Sequence, residues 1–151
     1  MGKREDFKAL VDKSISEINI PNITTIGDYA FHSCSSLSNV TIPNGVIQIG
    51  NRAFEKCSSL KEIIIPSSVA SIGDFCFANT TSSLGLSTIT FKQPSGMTVS
   101  LPTAGSSSGL FYCKTASNLT VYTDNETIKN YSYSSDNITA KIYHLDGSAW
   151  A

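Results

Sequence analysis

The stretch from Ile42 to Ile63, "IPNGVIQIGNRAFEKCSSLKEI", decides the fold because close variants of it occur on both sides. Residues 20–40 read "IPNITTIGDYAFHSCSSLSNV", and residues 65–80 read "IPSSVASIGDFCFANT". Equivalent glycines and phenylalanines are 23 residues apart: Gly27, Gly50 and Gly73, and Phe31, Phe54 and Phe77. Self-similarity at a fixed period of this length indicates a repeat protein whose units stack on one another.

Each repeat predicts one short strand followed by a turn. In "LSNVTI" and "LKEIII" the fourth and sixth residues are apolar, as alternation along a strand requires. Pro43 and Pro66 follow at once and should end each strand, because proline has no backbone N–H donor. The segments "DYAFHSC", "NRAFEKC" and "DFCFANT" favour one or two turns of α- or 3₁₀-helix, capped by Asp28, Asn51 and Asp74.

A unit of this size cannot bury its own apolar face, so neighbouring units must cover it. We therefore predict an α/β repeat protein, a right-handed leucine-rich-repeat solenoid with one short parallel strand per ~23-residue repeat. The equivalent phenylalanines should form a continuous buried column, and the equivalent glycines should adopt a conformation that a residue with a Cβ would resist. A doubly wound βαβ unit needs about 30 residues or more, which exceeds the period.

The whole chain, residues 1–151, is predicted to be a single domain. Residues 1–14 should form a short amphipathic helix that caps the first coil, the alternative being a frayed tail. Residues 15–91 hold the regular repeats, residues 92–124 a stretched repeat with a hairpin near 97–101, and residues 125–151 an irregular C-terminal cap. Aromatic residues concentrate towards the C-terminus and could seal the last core layer or offer a ligand platform: Tyr122, Tyr131, Tyr133, Tyr143 and Trp150.

The composition points away from nucleic acid and membrane partners. The net charge is −1 with a pI of about 6.1, and there is no basic patch to attract nucleic acid or an anionic membrane. Charged residues make up 15% of the chain, whereas serine and threonine together supply 38 residues, which suits a cell-surface or extracellular setting. No apolar run reaches the ~18 residues of a membrane span, and the charged N-terminus does not resemble a signal peptide.

The sequence has few residues in arrangements that could support catalysis or metal binding. Cys34 and Cys57 occupy equivalent repeat positions, so we expect the cysteines to be small buried hydrophobic residues carrying thiols. His32 is two residues from Cys34, and side chains so spaced on a helical turn face apart, so they are a poor catalytic pair. No nucleotide-binding, hydrolase or metalloprotease motif occurs. We expect no enzyme activity, no cofactor and no metal.

The candidate binding site is instead a ladder of polar residues on the strands. Residues between the inward-facing ones should line up across the concave side of the solenoid. Each strand contributes two of them, aligned across the stack in this order: Glu17 and Asn19, Asn39 and Thr41, Glu62 and Ile64, Thr88 and Thr90, and Asn118 and Thr120. Such a flat, small and polar array suits a protein or glycan partner better than a small molecule, which needs a deeper apolar cleft. The alternative is that these positions are only the solvated face of the sheet.

The unit I-P-x-x-V-x-x-I-G-x-x-A-F-x-x-C-x-x-L resembles the BspA-like leucine-rich repeat, and the likeness is strongest over residues 15–91. That family includes surface proteins of anaerobic and host-associated bacteria and of some protozoan parasites. The resemblance implies a non-enzymatic, protein-binding module, a bacterial cell-surface adhesin that recognises a host matrix protein or a surface polymer. The alternative is a structural spacer or terminal segment of a surface or phage-tail-like assembly.

Overall fold

The computed structural model describes residues 15–151, which form a parallel β-solenoid of about six turns. The N-terminal helix predicted for residues 1–14 lies outside the described residues. The strands are β1 (Glu17–Asn19), β2 (Thr25–Ile26), β3 (Asn39–Thr41), β4 (Gln48–Ile49), β5 (Glu62–Ile65), β6 (Ser71–Ile72), β7 (Asn79–Ser83), β8 (Thr88–Phe91), β9 (Cys113–Thr115), β10 (Ser117–Thr123) and β11 (Ile138–Tyr143). Helical structure in the described range is limited to α1 (Glu126–Lys129) and a 3₁₀ turn (Tyr133–Asp136).

All pairings between these strands are parallel. The first face of the solenoid consists of the pair β1–β3 and the four-stranded sheet β5–β8–β10–β11. The second face is β2–β4–β6, and β7–β9 form a further pair. A regular repeat therefore contributes two short strands, and the prediction of one strand per repeat was too low. The second strand has only two residues, too few to show alternation in the sequence.

The segments predicted to be helical are successive turns that form another ladder between coils. The N–H of Tyr29 donates to the carbonyl oxygen of Asn51 at 2.9 Å, and that of Phe31 donates to Ala53 at 2.7 Å. The intervening Ala30 bonds within its own coil. An α-helix directs every amide to a carbonyl of the same segment, whereas here alternate amides point to the next coil. The prediction of helical turns was therefore wrong.

Backbone conformation repeats with the same period in these turns. Tyr29, Arg52 and Phe75 have φ of 60°, 57° and 54°, in the left-handed region. Left-handed residues reverse the local direction of the chain, which keeps the turn from continuing as a right-handed helix. The three residues are 23 positions apart, so these three coils have the same conformational strain at the same place.

A continuous column of aromatic rings runs through the core. Phe31 stacks on Phe54 at 5.0 Å between ring centroids, and Phe54 stacks on Phe77 at 5.6 Å. The column continues through Phe111 at 6.0 Å and ends with Tyr133 at 5.7 Å. All five rings are buried. The predicted column is confirmed, and it extends beyond the regular repeats.

Close approach between coils explains the repeated glycines. A Cβ on Gly50 would lie 2.6 Å from the backbone nitrogen of Asp28, and one on Gly73 would lie 2.6 Å from that of Asn51. The side chain of Asp28 accepts from the N–H of Asn51, and the side chain of Asn51 accepts from that of Asp74, each at 2.8 Å. These side chains link adjacent coils, so the prediction that they cap helical turns was wrong.

The long insertion after β8 keeps the path of the solenoid. Ser100 pairs in parallel with Ser71 of β6, so the hairpin predicted near residues 97–101 is not formed. The buried Gln93 reaches back to the preceding coil, where its Nε2 donates to the carbonyl oxygens of Pro66 at 3.2 Å and Val69 at 3.0 Å. The insertion thus extends the second face by one bridge.

Asp136 ties this insertion to the last coil. Its carboxylate accepts from the N–H of Gly105 at 2.7 Å, the N–H of Phe111 at 3.0 Å and the hydroxyl of Tyr131 at 2.7 Å. The side chain is fully buried, and this burial raises the pKa of the carboxyl. Three donors offset the cost of placing the carboxylate inside the protein.

Candidate functional site

The outward-facing residues of the first face form two rows, whose register is fixed by strand pairing within the pair β1–β3 and within the sheet β5–β8–β10–β11. In the first row Glu17 pairs with Asn39, and Glu62, Thr88, Thr120 and Lys141 follow one another across the larger sheet. In the second row Asn19 pairs with Thr41, and Ile64, Thr90, Tyr122 and Tyr143 are aligned likewise. We call these twelve residues the outward face.

The ten residues predicted as the binding ladder are all exposed or half-buried, but the two on β10 were predicted in the wrong strand register. The prediction aligned Asn118 with Thr88 and Thr120 with Thr90. The structure pairs Thr120 with Thr88, and Asn118 pairs only with Thr139 of β11, beyond the end of β8. Asn118 therefore lies outside the two rows.

A buried threonine caused this two-residue error. Thr123 aligns with Phe91 and is fully buried, so it takes the last inward position of β10. Its hydroxyl oxygen accepts from the N–H of Asn125 at 3.0 Å, which satisfies it inside the protein. The prediction assigned only apolar residues to inward positions. It therefore shifted the register of β10 by two residues.

Sequence reasoning missed three residues of the outward face: Lys141, Tyr122 and Tyr143. The two tyrosine rings stack with their centroids 5.7 Å apart. Strand alternation in "ITAKIYHL" would have assigned Lys141 and Tyr143 to the outward side. The C-terminal aromatic residues thus divide between two roles, since Tyr131 and Tyr133 pack on Phe111 in the core.

The first face has one interruption. β3 and β5 lie side by side, yet no strand pairing joins them, and the face is divided there into two sheets. Ile64 stands next to this interruption and is 57% exposed, whereas the side chains before and after it in the row are the polar Thr41 and Thr90. Its apolar side chain is unusual on a face that is otherwise polar over the first four coils.

A second buried carboxylate, that of Glu55, also lies away from the outward face. Glu55 is fully buried and accepts from Arg52 at 2.8 Å and from the hydroxyl of Thr80 at 2.9 Å. His32 Nε2 lies 3.1 Å from the same carboxylate. These partners come from three successive coils, so Glu55 holds the stack together. Its oxygens are occupied by protein groups, which argues for a structural role.

The cysteines have the environment of structural residues. All four thiols are buried. Burial raises the pKa of Cys76 well above its usual value, so the reactive thiolate form is suppressed at neutral pH. No group of three or more His, Cys, Asp or Glu side chains within residues 15–151 is placed to hold a metal ion.

A shallow trough at the C-terminal end is lined by residues that contact one another. Trp150 has His144 stacked on its ring, with centroids 4.0 Å apart, and the Lys129 ammonium lies 4.8 Å from the ring centroid. His144 Nδ1 lies 2.9 Å from a carboxylate oxygen of Asp124. Hydrogen bonds from Ser148 lower the pKa of Asp146, which lines the same trough. These contacts fasten the chain end to the last coil.

In the described part of the chain, no helix has the length and apolar character needed to cross a membrane.

Comparisons with known proteins identify the repeat. Searches of curated proteins and of solved structures gave no significant match. The family model for the BspA type leucine rich repeat region, with six copies, matches residues 6–139. This match covers most of the sequence, and the chain therefore belongs to the BspA-type leucine-rich-repeat family.

Proposed function

We propose that this chain is a non-enzymatic recognition module whose outward face binds a partner protein at a cell surface, in the manner of an adhesin. The observation that carries the proposal is the outward face itself. Parallel pairing fixes the register of its residues within each of the two sheets, so the surface is formed before a partner arrives and little entropy is lost on binding.

The chemistry of the outward face favours a protein over a small molecule. The rows are mostly small and polar, with apolar contact area supplied by the exposed Ile64 and by the half-buried, stacked Tyr122 and Tyr143. Tyrosine is enriched among the residues that dominate the energetics of protein interfaces. An extended surface with few anchors surrounded by polar groups is the usual anatomy of such an interface.

Family membership supports the same function. Leucine-rich repeats commonly mediate protein–protein interactions, and BspA-type members are often surface-associated. Recognition of a host matrix protein or a surface polymer is the specific form of this activity that we propose here.

The last strand argues against a spacer that grows by end-to-end stacking. Ala149 forms an antiparallel bridge with Tyr143, so the returning chain end occupies part of the outer edge of β11. An edge covered in this way is less available to a further copy.

The experiment compares capture of extracellular host proteins by two variants of the immobilised chain. The face variant carries Thr41→Arg and Thr88→Arg, both on the outward face. The control variant carries Gln48→Arg and Thr98→Arg, exposed positions outside it, and adds the same charge. Circular dichroism and urea unfolding check that both variants fold.

We expect the wild type and the control variant to retain the same set of proteins and the face variant to lose them. Bulky arginines at two positions of a preformed interface prevent close approach of the partner. Equal retention by the face variant and the control variant would reject the outward face as the binding surface.

A further inference from the structure

A pocket opens where the first face is interrupted. Its volume is about 430 Å³, and it lies beside the gap between the unpaired strands β3 and β5. It is lined by residues from the end of β3 and just beyond it, from β5 and just beyond it, and by Lys92 after β8: Thr41, Ile42, Asn44, Ile64, Pro66, Ser67 and Lys92. The pocket is continuous with the outward face because Thr41 and Ile64 belong to both.

The interior of this pocket is apolar. Ile42 and Pro66 are buried beneath it, and Ile64 forms an exposed wall. Ile47 is the other strongly exposed isoleucine, at 52%, but it does not line the pocket. An apolar side chain of a partner that entered here would cover Ile64 and lose its own contact with water, which is favourable in proportion to the area covered.

Lys92 places a positive charge at one end of the pocket. Its backbone N–H donates to the carbonyl oxygen of Ile65 at 2.9 Å, which fixes the point from which the side chain extends. The side chain is exposed, and its ammonium makes no ion pair with a carboxylate within residues 15–151. Phe91 pairs with Ile65, so the next residue, Lys92, lies level with Pro66, two residues after Ile64. Glu62 lies two residues before Ile64, so the acid and the lysine are at opposite ends of the exposed Ile64.

We propose that this pocket is an anchoring site for a partner protein, and that it takes an apolar side chain followed directly by an aspartate or glutamate. The apolar side chain fills the space between Ile42, Ile64 and Pro66, and the carboxylate pairs with Lys92. This inference rests on the proposed function, since it names the chemistry that the outward face would recognise. A buried apolar anchor beside a polar rim is where interface energy concentrates.

The test uses a short capped peptide, acetyl-Ser-Leu-Glu-Ser-amide, titrated into the ¹⁵N-labelled full chain. Two matched peptides replace Leu by Ser or Glu by Gln. Amide chemical shifts report both the site and the affinity. We expect weak binding, with amide shifts concentrated at residues 41, 42, 44, 64, 65, 67 and 92.

The apolar side chain should supply most of the affinity. Replacing Leu by Ser in the peptide should weaken binding by about tenfold or more, because burial of the leucine side chain is lost. Replacing Glu by Gln should weaken it by about two- to fivefold, the range of an exposed ion pair, and this difference should shrink at high salt.

Substitutions in the chain separate the two parts of the site. Ile64→Ser should abolish the shifts, whereas the matched Ile47→Ser should leave them unchanged. Lys92→Gln should lower the affinity for the glutamate peptide to that for the glutamine peptide, whereas Lys114→Gln, an exposed lysine on β9, should not.

The inference is overturned if the three peptides give equal shifts, if the shifts fall elsewhere, or if Ile47→Ser acts like Ile64→Ser. It is also overturned if Lys92→Gln leaves the preference for glutamate intact. This failure is distinct from failure of the proposed function. If the face variant still lost its protein partners while the peptides did not bind at the pocket, the outward face would remain the binding surface and only its anchor would be wrong.

Discussion

Removal of an inner ring of the aromatic column, Phe54, should destabilise the chain far more than removal of an exposed apolar side chain. Phe54 is 2% exposed and stacks on Phe31 at 5.0 Å and on Phe77 at 5.6 Å. Phe54→Ala therefore leaves a cavity between two rings that the neighbouring coils hold in place. Substitutions of this type cost about 3–5 kcal/mol. Two lost ring contacts favour the upper part of that range.

This loss is large compared with the total stability of a domain, which is about 5–15 kcal/mol. Phe54→Leu keeps most of the apolar volume and should cost about 1–2 kcal/mol. Ile47→Ala is the matched surface control, because Ile47 is 52% exposed, and it should cost about 0.5 kcal/mol or less.

Equilibrium urea unfolding followed by far-ultraviolet circular dichroism measures these differences. Native-state hydrogen exchange locates them, since the amide of Phe31 donates to Ala53 of the next coil at 2.7 Å and should lose protection in Phe54→Ala. A loss below about 1 kcal/mol for Phe54→Ala, or a loss equal to that of Ile47→Ala, would refute the idea that the column holds the coils together.

Three further predictions concern other contacts between or within coils. Gly73→Ala should cost about 2 kcal/mol or more in urea unfolding because the new Cβ would lie 2.6 Å from the backbone nitrogen of Asn51, whereas Gly45→Ala, whose nearest contact is 3.8 Å, should be tolerated; equal costs would contradict the close-approach argument. Burial raises the pKa of Asp136 in the folded state, so this group's contribution to the free energy of unfolding is fully present below the unfolded carboxyl pKa and is lost as pH rises through the folded pKa. Asp136→Asn should remove that part of the pH dependence, measured by urea unfolding over the acidic range, and an unchanged profile would show that the carboxyl does not titrate as described. Burial also raises the pKa of the Cys76 thiol, so a thiol reagent should label it only as fast as the chain unfolds, and rapid native-state labelling at this position would contradict its burial.

The period of the coils and the buried ring column were predictable because they depend on residues that recur in sequence. Phe31, Phe54 and Phe77 are equivalent by spacing alone, and stacking of equivalent residues follows once a solenoid is assumed. Phe111 was also recognisable from the local likeness of "GLFYC" to earlier turns. Tyr133 was not recognisable, because a tyrosine replaces the phenylalanine and the surrounding motif is absent.

Hydrogen bonds between coils account for most of what the sequence did not show. The side chains of Asp28 and Asn51 satisfy backbone donors 23 residues away, although the same residue types commonly cap a helix in their own segment. Local propensity favoured helical turns, and the amides shared with the neighbouring coil prevented them. Such a preference becomes visible only when two coils are placed side by side.

The candidate site was only partly predictable for a similar reason. Alternation correctly assigned the outward residues of β1, β3, β5 and β8, where inward positions are apolar. It failed at β10, where Thr123 is buried, and it could not show that the pairing stops between β3 and β5. The pocket beside Ile64 depends on that interruption, so no single repeat encodes it.

The coils form one stack whose outward residues make a single surface. Glu17 on β1 and Lys141 on β11 occupy the same row at opposite ends, five strand steps apart when β3, β5, β8 and β10 lie between them. Nitroxide labels are attached to Glu17→Cys and Lys141→Cys, and the buried native thiols stay unlabelled. Pulsed electron–electron double resonance then measures the distance between the two labels. Four of the steps are paired strands about 4.8 Å apart, and across the unpaired step Cα atoms of β3 and β5 lie within 8 Å. The backbones are therefore ~24–27 Å apart, and we expect one narrow distribution centred between about 20 and 30 Å. A broad distribution, or one centred beyond about 40 Å, would contradict the single stack, since this spacing follows from strand separation alone.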